Sequence, residues 1–274
     1  MFEFEVYRDN KTDTLHTDYV YKYSLPFERV HDKYGWTLLF QKYCIHSFAV
    51  AVIYYVIIRW IQHAMRNREP FSLQKPLFFW NASLGRLQCD RLRSIRRGSL
   101  DFLVTWSEFG LTHALCHSCN PDSVAAFWSL AFAISKFVEL GDTLFIVLRK
   151  KPLIFLHYFH HAAVLVYTIH SAFITMNYFA HAFMYTYYAI KALEKRLPRY
   201  VSMTVTTIQT LQMFAGVAVS CYVAYIKLHT DIPCQQSKGN LVLAFIIYIA
   251  FAFLFCQFYY KAYLRPRTTK KKVQ

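Results

Sequence analysis

The chain has 274 residues, of which 55% are hydrophobic and 19% aromatic, with 25 Phe and 21 Tyr against only 7 Gly. Soluble domains carry about 45–50% apolar residues, so this composition excludes an ordinary water-soluble globule and points to a multi-pass membrane protein. The formal charge of +15 would suit a nucleic-acid partner, but the basic residues gather at the ends of apolar runs, which is the pattern of cytoplasmic loops and not of a binding face.

Residues 1–42 carry charges throughout and contain no basic-then-apolar leader, so they read as a tail, and targeting falls to the first membrane helix. Asn10-Lys11-Thr12 is a sequon in this tail, which makes Asn10 a glycosylation candidate. A spanning helix needs about 20 apolar residues. Such runs lie at 43–62, 124–148, 153–171, 173–192, 201–226 and 240–262. Basic clusters run from Arg59 to Lys75, over Arg149–Lys151, from Lys191 to Arg199 and from Lys261 to Lys272, whereas 115–122 and 227–239 are poor in Lys and Arg. Positive-inside counting then places the N-terminus in the lumen and the C-terminus in the cytosol.

With that orientation, residues 76–119 must cross the membrane an odd number of times. The stretch LGRLQCDRLRSIRRGSLDF (84–102) is heavily charged for a span. Arg86, Asp90, Arg91, Arg93, Arg96 and Arg97 would each cost about 2.5–3.5 kcal/mol at mid-bilayer. The alternative crossing, 100–116, is short and carries Asp101 and Glu108. Counting one crossing here, the expected fold is all-α: a single domain over 1–274, with a lumenal tail (1–42), seven transmembrane helices (43–262) and a cytosolic basic tail (263–274).

Ionisable side chains inside spans are costly and mark functional sites. In SKFVELGDTLFI, Lys136, Glu139 and Thr143 share one helix face and Asp142 lies to its flank; an internal ion pair that fixes packing is the plainer reading. In LHYFHH, His157, His160 and His161 stand at i, i+3 and i+4 on one face. They could be a polar seam, a metal site or chemical groups in their own right. A di-iron site needs several such boxes, and the other histidines supply no second HxxHH, so no metal is expected. The seven cysteines likewise offer no pair of CxxC motifs for structural zinc. In MNYFAHAFMYTYY, Asn177, His181, Met184, Tyr185 and Tyr188 share a face. Further on, Thr206, Gln209 and Gln212 put uncharged donors into an apolar helix, where interhelical hydrogen bonding explains them almost as well.

Taken in order, KFVELGDT (136–143), LHYFHH (156–161), NYFAHAFMYTYY (177–188) and TIQTLQ (207–212) resemble the very-long-chain fatty acid elongase family and its KxxExxDT, HxxHH, NxxxHxxMYxYY and TxxQxxQ patterns. The flanking sequence looks most like the branch acting on saturated and monounsaturated chains. Two departures from the family pattern stand out: the charged 84–102 stretch, and a short interval from His161 to Asn177.

The resemblance implies a seven-helix protein of the endoplasmic reticulum membrane, six of whose helices form a barrel around an acyl tunnel. It implies a condensing enzyme that joins acyl-CoA to malonyl-CoA, releasing CO2, with no tightly bound cofactor. By resemblance His160 is the nucleophile, forming an acyl-imidazole. His157, His161 and His181 orient or polarise the site, and Asn177, Tyr185 and Tyr188 are donors for enolate charge. Lys136, Glu139, Asp142 and Thr143, with Gln209 and Gln212, support it. Arg149, Lys150, Lys151, Lys191 and Lys195 are within reach of CoA phosphates by topology. Cys116 or Cys119 could pair with Cys234 in the lumen, which the compartment permits and the resemblance supports; free thiols are the alternative. Lys271 and Lys272 in the tail KKVQ stand where a dilysine retrieval signal needs them, although a stop-transfer cluster would look alike. Expected partners are the bilayer, the two CoA substrates, the reductases and dehydratase of the elongation cycle and a second copy in a homodimer, with no nucleic acid. Other readings are an inactive paralogue, a seven-helix transporter or receptor and, on weaker ground, a di-iron desaturase.

Overall fold

The apolar runs fold as helices, as backbone polar groups excluded from water require. The computed structural model describes residues 6–9, 14–17, 25–28, 32–43, 46–95, 106–107, 110–116, 124–168 and 174–265. Its helices are α1 (Lys33–Tyr43), α2 (His46–Ala64), α3 (Gln74–Ile95), α4 (Leu111–Cys116), α5 (Val124–Glu139), α6 (Gly141–Leu148), α7 (Phe155–Thr168), α8 (Ile174–Ala192), α9 (Arg199–His229) and α10 (Lys238–Tyr259), the last continued by a π-turn at Tyr260–Leu264. Among the described residues, three helical stretches are long and apolar enough to cross a membrane: His46–Ala64, Arg199–His229 and Lys238–Leu264.

Three expectations change. The fold is all-α in class, as expected, but the N-terminal region is not a plain tail. An antiparallel hairpin pairs β1 (Val6–Asp9) with β2 (Thr14–Thr17), and a 3-10 turn at Pro26–Glu28 packs on α5. Secondly, the run 124–148 is two helices. A tightened turn breaks it at Leu140, where Leu140 N–H bonds Phe137 O and Thr143 N–H bonds Leu140 O, both at 3.3 Å. Thirdly, the charged stretch is helical over its described residues: α3 covers 74–95, and at 1.5 Å per residue its 22 residues extend about 33 Å. Arg86 faces outward and sits 3.6 Å from Asp90 one turn on, while Asn81, Leu84 and Gln88 on the other face are buried. Asn81 spends its amide on Leu77 O at 2.7 Å, inside the helix's own turn. By contrast, the described residues of the alternative crossing are helical only at 106–107 and over the six-residue α4.

The helices pack pairwise. α3 lies along α8, α8 on α9, α9 on α10, α10 on α7 and α7 on α5, and α2 covers α6 and α7. Gly216 of α9 lets the Tyr248 ring of α10 approach so closely that a Cβ there would stand 2.4 Å from it. Below it Met213, Ile247, Phe251 and Phe255 form a buried cluster.

The two ends of the molecule differ in character. At one end the 65–73 segment ties α2 and α3 to the α6 terminus: Phe71 N–H bonds Leu148 O at 3.0 Å, and Lys150 Nζ donates to Arg66 O at 3.2 Å. Gln74 donates to Glu194 beyond α8, and Arg199 caps Tyr263 O at 2.5 Å. At the other end Cys116 and Cys234 form a disulfide, Gln235 N–H bonds Cys116 O at 2.9 Å, and Lys227 donates to Cys234 O at 3.0 Å.

Candidate active site

Four helices, α5 to α8, bring the first three motifs together, and α3 closes over them. On α5, Lys136 and Glu139 are one turn apart and buried, so each charge demands a partner. Lys136 Nζ binds both carboxylate oxygens of Glu139 at 2.8 and 2.9 Å, reaches Asn177 Oδ1 of α8 at 3.0 Å, and lies 4.5 Å over the Phe132 ring. Glu139 also accepts from Ser135 Oγ at 3.2 Å and from Gln88 Nε2 of α3 at 3.5 Å. His181 Nδ1 of α8 faces its other oxygen at 3.5 Å. One carboxylate thus joins α3, α5 and α8.

The break at Leu140 turns Asp142 away from this pair. Trp80 Nε1 of α3 donates to its Oδ1 at 2.6 Å and the Tyr185 hydroxyl to its Oδ2 at 2.8 Å. Gly141 is required here, because a Cβ would stand 2.6 Å from the Trp80 ring. Thr143, fully buried, pairs with Tyr54 Oη of α2 at 2.5 Å and with His157 Nε2 at 3.0 Å, a chain of hydroxyls that fixes the imidazole.

The histidines form one aromatic group. Ring centroids of His157 and His161 are 4.5 Å apart, those of His160 and His161 5.7 Å, and those of His160 and His181 6.1 Å across the α7–α8 gap. Phe251 of α10 closes on His160 at 5.0 Å. His160 Nδ1 is buried without a hydrogen-bond partner. Among the described residues no group of three or more His, Cys, Asp and Glu side chains converges as a metal site.

The remaining candidates divide. Gln209 reaches Met184 Sδ of α8 at 3.2 Å, and Gln212 is buried. Tyr188 is 44% exposed and lies beside Tyr187, with ring centroids 5.4 Å apart and planes tilted by 54°, two turns from His181. Arg149, Lys150 and Lys151 follow α6, and Lys191 and Lys195 stand at the end of α8, with Lys191 over the Tyr187 ring; these ends meet through the 65–74 segment. The structure pairs Cys116, and not Cys119, with Cys234. Cys119, Asn10, Lys271 and Lys272 lie outside the described residues.

Sequence reasoning missed Tyr54, Trp80, Gln88 and Ser135. Asn81 and Gln88 are seven residues apart on one face of α3, a spacing readable in the sequence, although the charges of the same stretch obscure it. Tyr54 is one aromatic residue in an apolar helix and carries no local signal.

The fold and site define a helical protein with membrane-length helices and a buried polar centre built of histidines, carboxylates, amides and phenols. Residues 39–271 match the ELO family, described as GNS1/SUR4. The chain is 51% identical to the Caenorhabditis elegans protein "Putative fatty acid elongase 4", over 98% of this chain and 94% of that one. It is 38% identical to very long chain fatty acid elongase 3 of Homo sapiens, over 85% and 88% of the two chains. With very long chain fatty acid elongase 6 of Drosophila melanogaster the identity is also 38%, over 87% and 76%. The chain belongs to the ELO family of fatty acid elongases.

Proposed function

We propose that the protein catalyses the condensing step of fatty acid elongation, joining a long-chain acyl-CoA to malonyl-CoA through an acyl-imidazole on His160. The observation that carries this reading is the state of that ring. Its Nδ1 is buried and unpaired and has no carboxylate beside it; His157 is committed to Thr143, and His181 Nδ1, which also has no hydrogen-bond partner, stands 3.5 Å from a Glu139 carboxylate oxygen. A desolvated, unpaired imidazole nitrogen retains its lone pair for attack on a thioester.

In the first half-reaction the ring attacks the thioester carbonyl. The C–N bond forms, the C–S bond breaks, and CoA leaves as its thiol with the ring proton. In the second, malonyl-CoA loses CO2, and the electron pair of the broken C–C bond becomes an enolate. The enolate carbon attacks the acyl carbon, the C–N bond breaks, and the departing imidazolate takes up a proton from water, so that 3-ketoacyl-CoA leaves with His160 restored. His181, Asn177 and the Tyr185 hydroxyl are the donors for enolate charge, and a dry site makes them worth more than in water. The Lys136–Glu139 pair holds Asn177 and His181 in place.

The pairwise packing supports a barrel of α3, α5–α6, α7, α8, α9 and α10 around an acyl tunnel, with α2 outside as the seventh span. The disulfide supports a lumenal position for its end, and the basic end then faces the cytosol and the CoA phosphates. This orientation suits the endoplasmic reticulum membrane, with the acyl chain passed to the reductases and dehydratase of the cycle and no tightly bound cofactor needed.

The test is turnover in membranes carrying wild type or His160→Ala, given palmitoyl-CoA and radiolabelled malonyl-CoA. Label in a 3-keto or elongated product, lost in the variant, supports both the activity and the nucleophile. Product formed at the normal rate by His160→Ala would sink the acyl-imidazole. No product from any acyl-CoA in a panel, with folded protein, would point to an inactive paralogue.

A further inference from the structure

Outside the histidine centre, α2 and α7 enclose a second cavity of about 280 Å³, close to the lower end of the ~300–1,000 Å³ range of ligand pockets. Its wall is aromatic, with Tyr54 and Tyr55 from α2 and Phe155 and Tyr158 from the start of α7, and its polar corner is Arg59 with Gln62. Arg59 is exposed, and its only hydrogen bond within the described residues runs to Gln62 Oε1 at 3.2 Å. No acidic residue lines the cavity. A guanidinium inside an apolar helix, held beside a cavity without a carboxylate, is complementary to an anion. The faces next to the cavity are apolar as well: Val52, Ile53, Val56 and Ile57 of α2 are all about half exposed or more.

We propose that this cavity binds the anionic head of a single-chain amphiphile, with Arg59 as its counter-ion and the α2 face as the bed of its alkyl chain. The volume accommodates a headgroup and the first carbons, and the exposed valines and isoleucines cover the rest. The shared chemistry is a carboxylate or phosphate on one long chain, from a free fatty acid or from a lipid phosphate. The site is separate from the histidine centre but shares a wall with it, since Tyr54 turns its hydroxyl away from the cavity to Thr143.

The experiment is photolabelling of the purified full-length protein in phosphatidylcholine nanodiscs with a diazirine-bearing palmitate, followed by mapping of labelled residues. Label is expected on α2 between Tyr54 and Gln62, displaced by palmitate or by hexadecyl phosphate but not by hexadecanol. The stronger of the two anionic competitors identifies the source of the ligand. Arg59→Gln should lower this label about tenfold, and Trp60→Phe, one residue further along α2 and outside the cavity lining, should leave it unchanged. The proposal is overturned by displacement with hexadecanol, by an undiminished signal in Arg59→Gln, or by equal loss in both variants. Displacement by coenzyme A alone, which would make the cavity part of the substrate mouth, also overturns it. Label on the inner residues around Phe251 serves as the folding control for both variants.

Discussion

Lys136 and Glu139, one turn apart on α5, form an ion pair that is almost wholly buried, and this pair is the point at which α5 is tied to Asn177 and His181 of α8. Removing one member leaves the other charge buried and uncompensated, at a cost of about 3–5 kcal/mol. Glu139→Leu and Lys136→Met should each lower the melting temperature in detergent strongly. The double variant Lys136→Met/Glu139→Leu should recover much of that loss while turnover stays absent. Equal melting temperatures for the single and double variants would show that the pair contributes no coupling.

Thr143→Val keeps the shape of the side chain and removes its hydroxyl, leaving Tyr54 Oη and His157 Nε2 without their shared partner. A lost buried hydrogen bond of about 1.4 kcal/mol corresponds to a tenfold effect. We expect kcat in the condensation assay to fall about tenfold, and Thr143→Ser to restore it. A purely structural role would lower the yield of folded protein in Thr143→Val without this rescue.

Gly141→Ala should push the Trp80 indole off Asp142, since the added Cβ would stand 2.6 Å from the ring. Overpacking of this kind costs about 1–3 kcal/mol. The effect should shrink in a Trp80→Phe background, because the smaller ring leaves room. A double-mutant cycle on melting temperature measures the coupling, and additive effects would contradict the contact.

The fourth prediction concerns the disulfide. A non-reducing digest should yield a Cys116–Cys234 peptide. Cys116→Ser should lower stability by up to about 4–5 kcal/mol on the loop-entropy account, given a sequence separation of 118. A Cys119–Cys234 peptide in its place would contradict the pairing.

Much of the site was legible because its residues repeat at helical spacing within apolar runs. His157, His160 and His161 are conspicuous where charge and polarity are expensive, and so are Lys136 and Glu139. What could not be read depended on backbone geometry or long-range contact. A continuous helix leaves Asp142 on the flank of the Glu139 face, whereas the turn at Leu140 gives it Trp80 and Tyr185 as partners. Tyr188 follows Tyr185 on the helical wheel, yet it is exposed while Ala189 next to it is buried. Glu28 is a further case. It is a lone acid in a charged tail, yet the structure buries it, with Trp128 Nε1 donating to it at 3.1 Å and Leu25 N–H at 2.8 Å. No periodicity reveals a contact of that span.

The bond between Cys116 and Cys234 encloses every residue of the four motifs, from Lys136 to Gln212, in a covalent macrocycle. A single cut anywhere between the two cysteines opens the ring without releasing a fragment. A protease nick there would therefore pass unseen on a non-reducing gel and appear as two pieces once the thiols are reduced.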